Sequence, residues 1–92
     1  MTTIYKYDLP DPLSGPMTIR MPEGKPCHIG LQHGGIKMWC PVDGPDMDRT
    51  FCVVGTGHEF PEPSVYWTPL GSIIDRGFVW HVWELTEDLD EL

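Results

Sequence analysis

The stretch that decides the fold is Cys27-His28-Ile29-Gly30-Leu31-Gln32-His33-Gly34-Gly35-Ile36-Lys37-Met38-Trp39-Cys40-Pro41-Val42. Cys27, Ile29 and Leu31 alternate with His28, Gly30 and Gln32. After His33-Gly34-Gly35 the alternation resumes, with Ile36, Met38, Cys40 and Val42 set against Lys37 and Trp39. Period-two patterning of this kind belongs to strands with one dry face and one wet face. Paired glycines between two such runs favour a tight hairpin, because positive φ costs glycine little. Pro41 falls on the outward parity, which predicts that the strand is an edge there or has already left its ladder.

Outward from this hairpin the pattern repeats. Upstream, Thr3 to Tyr7 and Met17 to Met21 read as strands, separated by a Pro/Asp/Gly loop from Asp8 to Pro16. Pro22 to Pro26 is a turn. Downstream, Val42 to Asp48 reads as loop and Arg49 to Val54 as strand, followed by Gly55-Thr56-Gly57-His58 and a proline-flanked loop to Pro63. Val65 to Trp67 begins another strand, broken near Pro69 and Gly71 and continued by Ser72-Ile73-Ile74. Asp75-Arg76-Gly77 turns the chain into Phe78 to Trp83, a run apolar on both parities. A strand dry on both faces belongs in the middle of a sandwich or barrel, or at a subunit interface.

Six or seven short strands with hairpin connections predict an all-β fold, a small antiparallel sandwich or barrel. Ten glycines and ten prolines among 92 residues exceed ordinary usage of roughly 12% and exclude long helices. Residues 1–84 form one expected domain and 85–92 an acidic tail. In that tail Leu85, Leu89 and Leu92 recur at helical spacing, and Thr86 is placed to cap a short helix.

The formal net charge is −8, and five of the acids lie in the last nine residues. The six cations, Lys6, Arg20, Lys25, Lys37, Arg49 and Arg76, are isolated along the chain. Phosphate-neutralising binding to DNA or RNA needs clustered cations, so nucleic acid is not an expected partner. No apolar run is long enough to span a bilayer, and no signal peptide opens the sequence. Cys27, Cys40 and Cys52 are an odd count, read as reduced thiols in a cytoplasmic protein.

Metal and catalytic patterns are sparse. The cysteines are singly placed, and His28 and His33 have opposite parity, so no metal or other cofactor is expected. Ser14, Ser64 and Ser72 lie outside any nucleophile elbow, and His58-Glu59 is only a neighbouring pair. A Cys27–His81 dyad depends on spatial proximity. The chain is therefore read as a non-enzymatic protein.

Two features point to ligand binding. Gly55-Thr56-Gly57-His58 follows a strand, where glycines let backbone N–H groups converge on an anion and His58 adds a hydrogen bond. The same turn also reads as a bulge needing positive φ. Trp39, Trp67, Trp80 and Trp83 are too many indoles for one small core, which predicts that at least one lines a ligand pocket or a subunit contact. The expected ligand residues are Arg49, Gly55, Thr56, Gly57, His58, Trp39, Trp67 and Arg76, with arginine neutralising an anion and indole stacking on a base. A homo-oligomer that holds a small anionic or nucleotide-like ligand is the leading expectation. Two alternatives stand beside it: a protein-interaction inhibitor, its aromatic patch serving as hot spot, and a structural or assembly accessory.

The Ile4-Tyr5-Lys6-Tyr7 start, the Arg49-Thr50-Phe51 strand running into Val54-Gly55-Thr56-Gly57-His58, and the Val79-Trp80-His81-Val82 ending together carry a resemblance. Up to Glu84 the chain resembles a family of small uncharacterised bacteriophage and prophage proteins. The resemblance implies a setting: an accessory phage product in the cytoplasm of an infected bacterial host. Accessory proteins of that size often counter host defence, by sequestering a signal molecule or blocking a host effector.

Overall fold

The structure, a computed structural model, describes residues 1–12, 14–61 and 66–86. Seven strands follow in order: β1 (Thr3–Asp8), β2 (Met17–Pro22), β3 (His28–Gln32), β4 (Gly35–Val42), β5 (Asp46–Gly55), β6 (Trp67–Asp75) and β7 (Phe78–Leu85). They form a three-stranded sheet of order β1-β4-β3 and a four-stranded sheet of order β2-β5-β7-β6, with every pairing antiparallel. The expected all-β architecture is thus a sandwich. Its thin dimension of 17 Å suits two layers about 10 Å apart.

The core lies where the alternation of β4 placed it; of the alternating set Cys27, Ile29 and Leu31, only Ile29 packs on the core, while Cys27 and Leu31 are exposed because β3 is an edge strand. Ile36, Met38, Cys40 and Val42 of β4 are buried with Met21 of β2, Phe51 and Val53 of β5, and Val82 of β7. Leu9, at the start of the crossover from β1 to β2, joins them and donates its N–H to Ile36 O at 3.0 Å. On β4 the intervening Gly35, Lys37, Trp39 and Pro41 are half-buried and face outward.

The turn between β3 and β4 differs from the paired-glycine expectation. His33 and Gly34 carry the positive φ values, 55° and 79°, while Gly35 begins β4. Arg76 and Gly77, at 52° and 89°, do the same between β6 and β7. Both are two-residue connections with positive φ at each central position, the geometry that matches strand twist. His33 and Arg76 accept a left-handed conformation that side chains ordinarily avoid.

Pro41 remains in the ladder opposite Ile4. The Leu9–Ile36 bond fixes odd-numbered β1 residues as the hydrogen-bonded pairs, so Pro41 occupies a non-bonded position towards β1 and turns its nitrogen to the other side. There β3 has already stopped pairing, at His28 opposite Trp39. β4 is central by sheet order and an edge at this one place.

Three boundaries shift from the sequence reading. β5 begins at Asp46 because β2 extends the ladder to Pro22 opposite Asp46, so only residues 43–45 join β4 to β5. β6 is one strand, with a register shift between Pro69 and Gly71 that absorbs the proline. Leu85 belongs to β7, opposite Trp67; the expected tail helix falls on residues 87–92, outside the described residues.

A second, smaller core covers the outer face of the four-stranded sheet. Cys52, Val54 and Trp67 are buried there, and Phe60, Trp83 and Leu85 pack against them. Phe60 meets Trp83 edge-on with centroids 4.7 Å apart, and Trp67 Nε1 donates to Pro61 O at 3.2 Å. The chain after the Gly55–His58 turn therefore folds back as a lid. Among the described residues no helix is long and apolar enough to cross a membrane.

Candidate functional site

The residues expected to bind ligand divide among separate places. At the end of β5, Gly55 to His58 form a turn closed by His58 N–H on Gly55 O at 3.0 Å, and Gly57 has φ of +90°. Thr56 N–H bonds Val79 O at 3.2 Å. One of the amides expected to cradle an anion, that of Thr56, is thus engaged within the fold, as is the amide of His58. The imidazole of His58 returns over Gly55 to lie 6.0 Å from Trp80. A Cβ on Gly55 would stand 2.5 Å from His58 Nδ1 and 2.8 Å from Trp80, so glycine is required by close ring approach. Arg76 lies at the tip of the next hairpin, paired with Asp75 at 3.3 Å and largely exposed.

Thr56 also holds a histidine that the ligand reading left out. Its hydroxyl lies 2.7 Å from His81 Nε2, while Ser72 Oγ lies 2.8 Å from His81 Nδ1. A nucleophilic serine needs a base that a third group orients, ordinarily a carboxylate; here the far nitrogen meets a hydroxyl. Cys27 precedes β3 of the three-stranded sheet, whereas His81 lies on β7 of the four-stranded one.

Arg49 is buried at the opposite end of β5. At a rise of about 3.3 Å per residue, roughly 20 Å of strand separates it from Gly55. Its Nε and Nη2 donate to the two carboxylate oxygens of Glu84, each at 2.8 Å, and Nη1 donates to Pro22 O at 2.9 Å. The guanidinium lies 5.4 Å from the centroid of Phe51. Hydrogen bonding to Glu84 holds its pKa above the ordinary arginine value despite the opposing effect of burial. The adjoining cavity, about 910 Å³, has Glu23, Asp48 and Glu84 among its lining residues beside Lys25 and Arg49. Arg49 therefore closes the end of the core through an internal counterion.

Trp67 lies beneath Pro61 in the outer core. Trp80 packs on the main core and Trp83 on the outer one. Two cores accommodate three indoles, which one core could not. No tryptophan is fully exposed: Trp67 is buried and the other three are half-buried.

Trp39 belongs to neither core. It is carried outward on the central strand of the three-stranded sheet, with Lys6 of β1 and His28 of β3 directly opposite in register. The His28 ring lies 5.2 Å from the indole at 49°. Lys6 Nζ donates to Gln32 Oε1 at 2.6 Å, a neutral partner. Lys37, two residues from Trp39, is instead neutralised by Asp8 at 2.9 Å. That hydrogen bond, reinforced by the lysine charge, holds the Asp8 carboxyl below its usual range.

Among the described residues, Arg20, Lys37, Arg49 and Arg76 each meet a carboxylate, whereas Lys6 and Lys25 meet none. Lys6 is the cross-strand neighbour of Trp39, whereas Lys25 lines the cavity beside Arg49. The sequence reading singled out Trp39 but not Lys6 or His28. The parity of His28 was legible; its proximity to Trp39 and Lys6 arises from strand pairing between distant segments. Among the described residues, no group of three or more His, Cys, Asp or Glu side chains is arranged to hold a metal ion.

The chain belongs to the family described as a domain of unknown function (DUF7352), whose model matches residues 1–91. No curated protein and no solved structure matches it.

Proposed function

We propose that the chain is a non-enzymatic binding module that holds a small, base-bearing anion of the nucleotide class on the outer face of the three-stranded sheet. The observation that carries this reading is Trp39, set outside both cores between Lys6 and His28. An indole on an open sheet face is a stacking platform, and stacking a base on an aromatic ring contributes about 1–3 kcal/mol. Lys6, which among the described residues bonds only Gln32, supplies a charge for a phosphate without first having to leave a carboxylate there. His28 adds a ring edge able to donate or accept.

The net charge of −8 supports a small ligand over a polymer. A phosphate is met by Lys6, while a long polyanion is repelled by the rest of the surface. Sequestration of a host-defence signal by a phage-type accessory protein is a role this ligand class would suit.

Titration with adenine and guanine mononucleotides, cyclic nucleotides and ADP-ribose, followed by tryptophan fluorescence, tests the reading. A nucleotide should quench the wild type, and Trp39→Leu should remove the quenching. Lys6→Gln should weaken binding about tenfold, equivalent to about 1.4 kcal/mol. No quenching and no thermal shift across the panel, or quenching unchanged in Trp39→Leu, would overturn it.

A further inference from the structure

The sandwich has four edge strands, and three carry a recognised guard against pairing with another chain. β2 ends in Pro22, β6 contains Pro69 and a register shift, and β3 packs against β6. Prolines, bulges and covering elements are how sheets protect open edges. Among the described residues β1 has none of these, and its two charged side chains are turned to partners within the sheet, Lys6 to Gln32 and Asp8 to Lys37. Thr3-Ile4-Tyr5-Lys6-Tyr7-Asp8 is a straight run without proline or glycine, paired along its whole length with β4.

The alternation shows what the open side presents. Since odd-numbered residues bond β4, the N–H and C=O groups of Ile4, Lys6 and Asp8 point away from the sheet. The side chains also stop short of closure. Tyr5 has core-facing parity, opposite the fully buried Cys40, yet remains 56% exposed, and Ile4 on the other face is 59% exposed. Tyr5 and Tyr7 lie side by side, rings 6.4 Å apart, along a core-facing row with no strand beyond it among the described residues.

We infer that β1 pairs antiparallel with β1 of a second copy, about a twofold axis at Tyr5. Paired residues must share a face, so an odd-to-even register is excluded. Centring on Tyr5 sets Ile4 opposite Lys6 and Thr3 opposite Tyr7 of the second copy. Centring on Lys6 opposes two lysines, which is destabilising, and centring on Ile4 shortens the overlap. The Tyr5 register joins both core-facing tyrosine rows and brings no like charges together. It makes one continuous sheet of the two three-stranded sheets and leaves both Trp39 faces open. Strand pairing with its flanking side chains buries less than the roughly 800 Å² per partner of a standard interface, so the dimer is weak and dissociates on dilution.

Cross-linking and light scattering test this. At the axis the Tyr5 positions form a non-hydrogen-bonded pair with Cα atoms about 4.5 Å apart, within disulfide reach. In a Cys27→Ser, Cys40→Ala background, which removes the thiol directly opposite Tyr5, Tyr5→Cys should form a covalent dimer under mild oxidation, and Tyr7→Cys should form far less. Light scattering from micromolar to near-millimolar protein should show a reversible dimer that Ile4→Pro removes, because that N–H faces the open side and leaves the ladder to β4 intact. Circular dichroism checks that Ile4→Pro folds; if it does not, Tyr5→Cys cross-linking decides alone. A wild type monomeric throughout with no Tyr5→Cys cross-link, equal cross-linking at both positions, or a dimer indifferent to a folded Ile4→Pro would each overturn the inference.

Discussion

The outer faces of the two sheets are built on opposite plans. On β4 every second residue from Ile36 to Val42 is buried and the others face outward half-covered. On β5 all residues from Phe51 to Gly55 are buried, whichever way they point. The difference lies in what covers each sheet. The three-stranded sheet packs through one face and leaves Trp39, Lys6 and His28 on the other. The four-stranded sheet packs inward through Phe51 and Val53, and outward through Cys52 and Val54 beneath Phe60 and Trp67. A face closed by its own chain supplies stability; a face that the described residues leave open, with an aromatic ring and a cation that meets no carboxylate among them, is available for recognition.

The strongest way to break this contrast is to remove one indole from each face. Trp67→Ala empties a site that is 8% exposed and takes away the bond to Pro61 O, and should cost about 3–5 kcal/mol in urea unfolding. Trp39→Ala, outside both cores, should cost about 1 kcal/mol. Equal losses would mean that the Trp39 face is structural, and the proposed platform would lose its premise.

The same contrast explains what the sequence made legible. Where a sheet is dry on one side only, as at Ile36 to Val42, the period of two is clean, and strand, inward set and outward Trp39 are all readable. Where both sides are dry, parity carries no information. Phe51-Cys52-Val53-Val54 and Phe78 to Trp83 identify strands but not which indole belongs to which core. Arg49 illustrates the limit. A lone arginine beginning an apolar strand reads equally as an anion ligand or as a buried counterion, and Glu84, which decides the matter, is 35 residues away. The Gly55–His58 turn was legible as a turn, but the bond from Thr56 N–H to Val79 O depends on a hairpin the local sequence does not show. Lys6 and His28 reach Trp39 only through pairing.

Thiol chemistry sharpens the comparison without altering the packing. Burial pushes both Cys40, in the main core, and Cys52, in the outer one, up to about 11. Raised values leave very little thiolate at neutral pH, and the thiolate is the reactive form. Cys27 is exposed beside the Trp39 face. Brief native labelling with iodoacetamide should modify Cys27 alone, and unfolding in urea should release the other two. Equal labelling of Cys52 and Cys27 would mean that the lid of Phe60 and Pro61 opens readily, and the two outer faces would differ less than their packing implies.

The smallest expected effect lies within the outer core itself. Trp83 Nε1 is buried and has no hydrogen-bond partner among the described residues, whereas Trp67 Nε1 is satisfied by Pro61 O. Replacing an unsatisfied donor by a carbon of similar shape removes a desolvation cost, while replacing a satisfied one strands its acceptor. Trp83→Phe should therefore lie within about 1 kcal/mol of the wild type, the lost ring area being offset by the lost orphan N–H. Trp67→Phe should be the more destabilising of the two, because Pro61 O then loses its donor and the lid its anchor. Urea midpoints with unchanged slopes would measure the pair. If Trp83→Phe proved the costlier change, indole area rather than polar satisfaction would hold the outer core closed, and the lid would be secured by Phe60 against Trp83 instead of by Pro61 over Trp67.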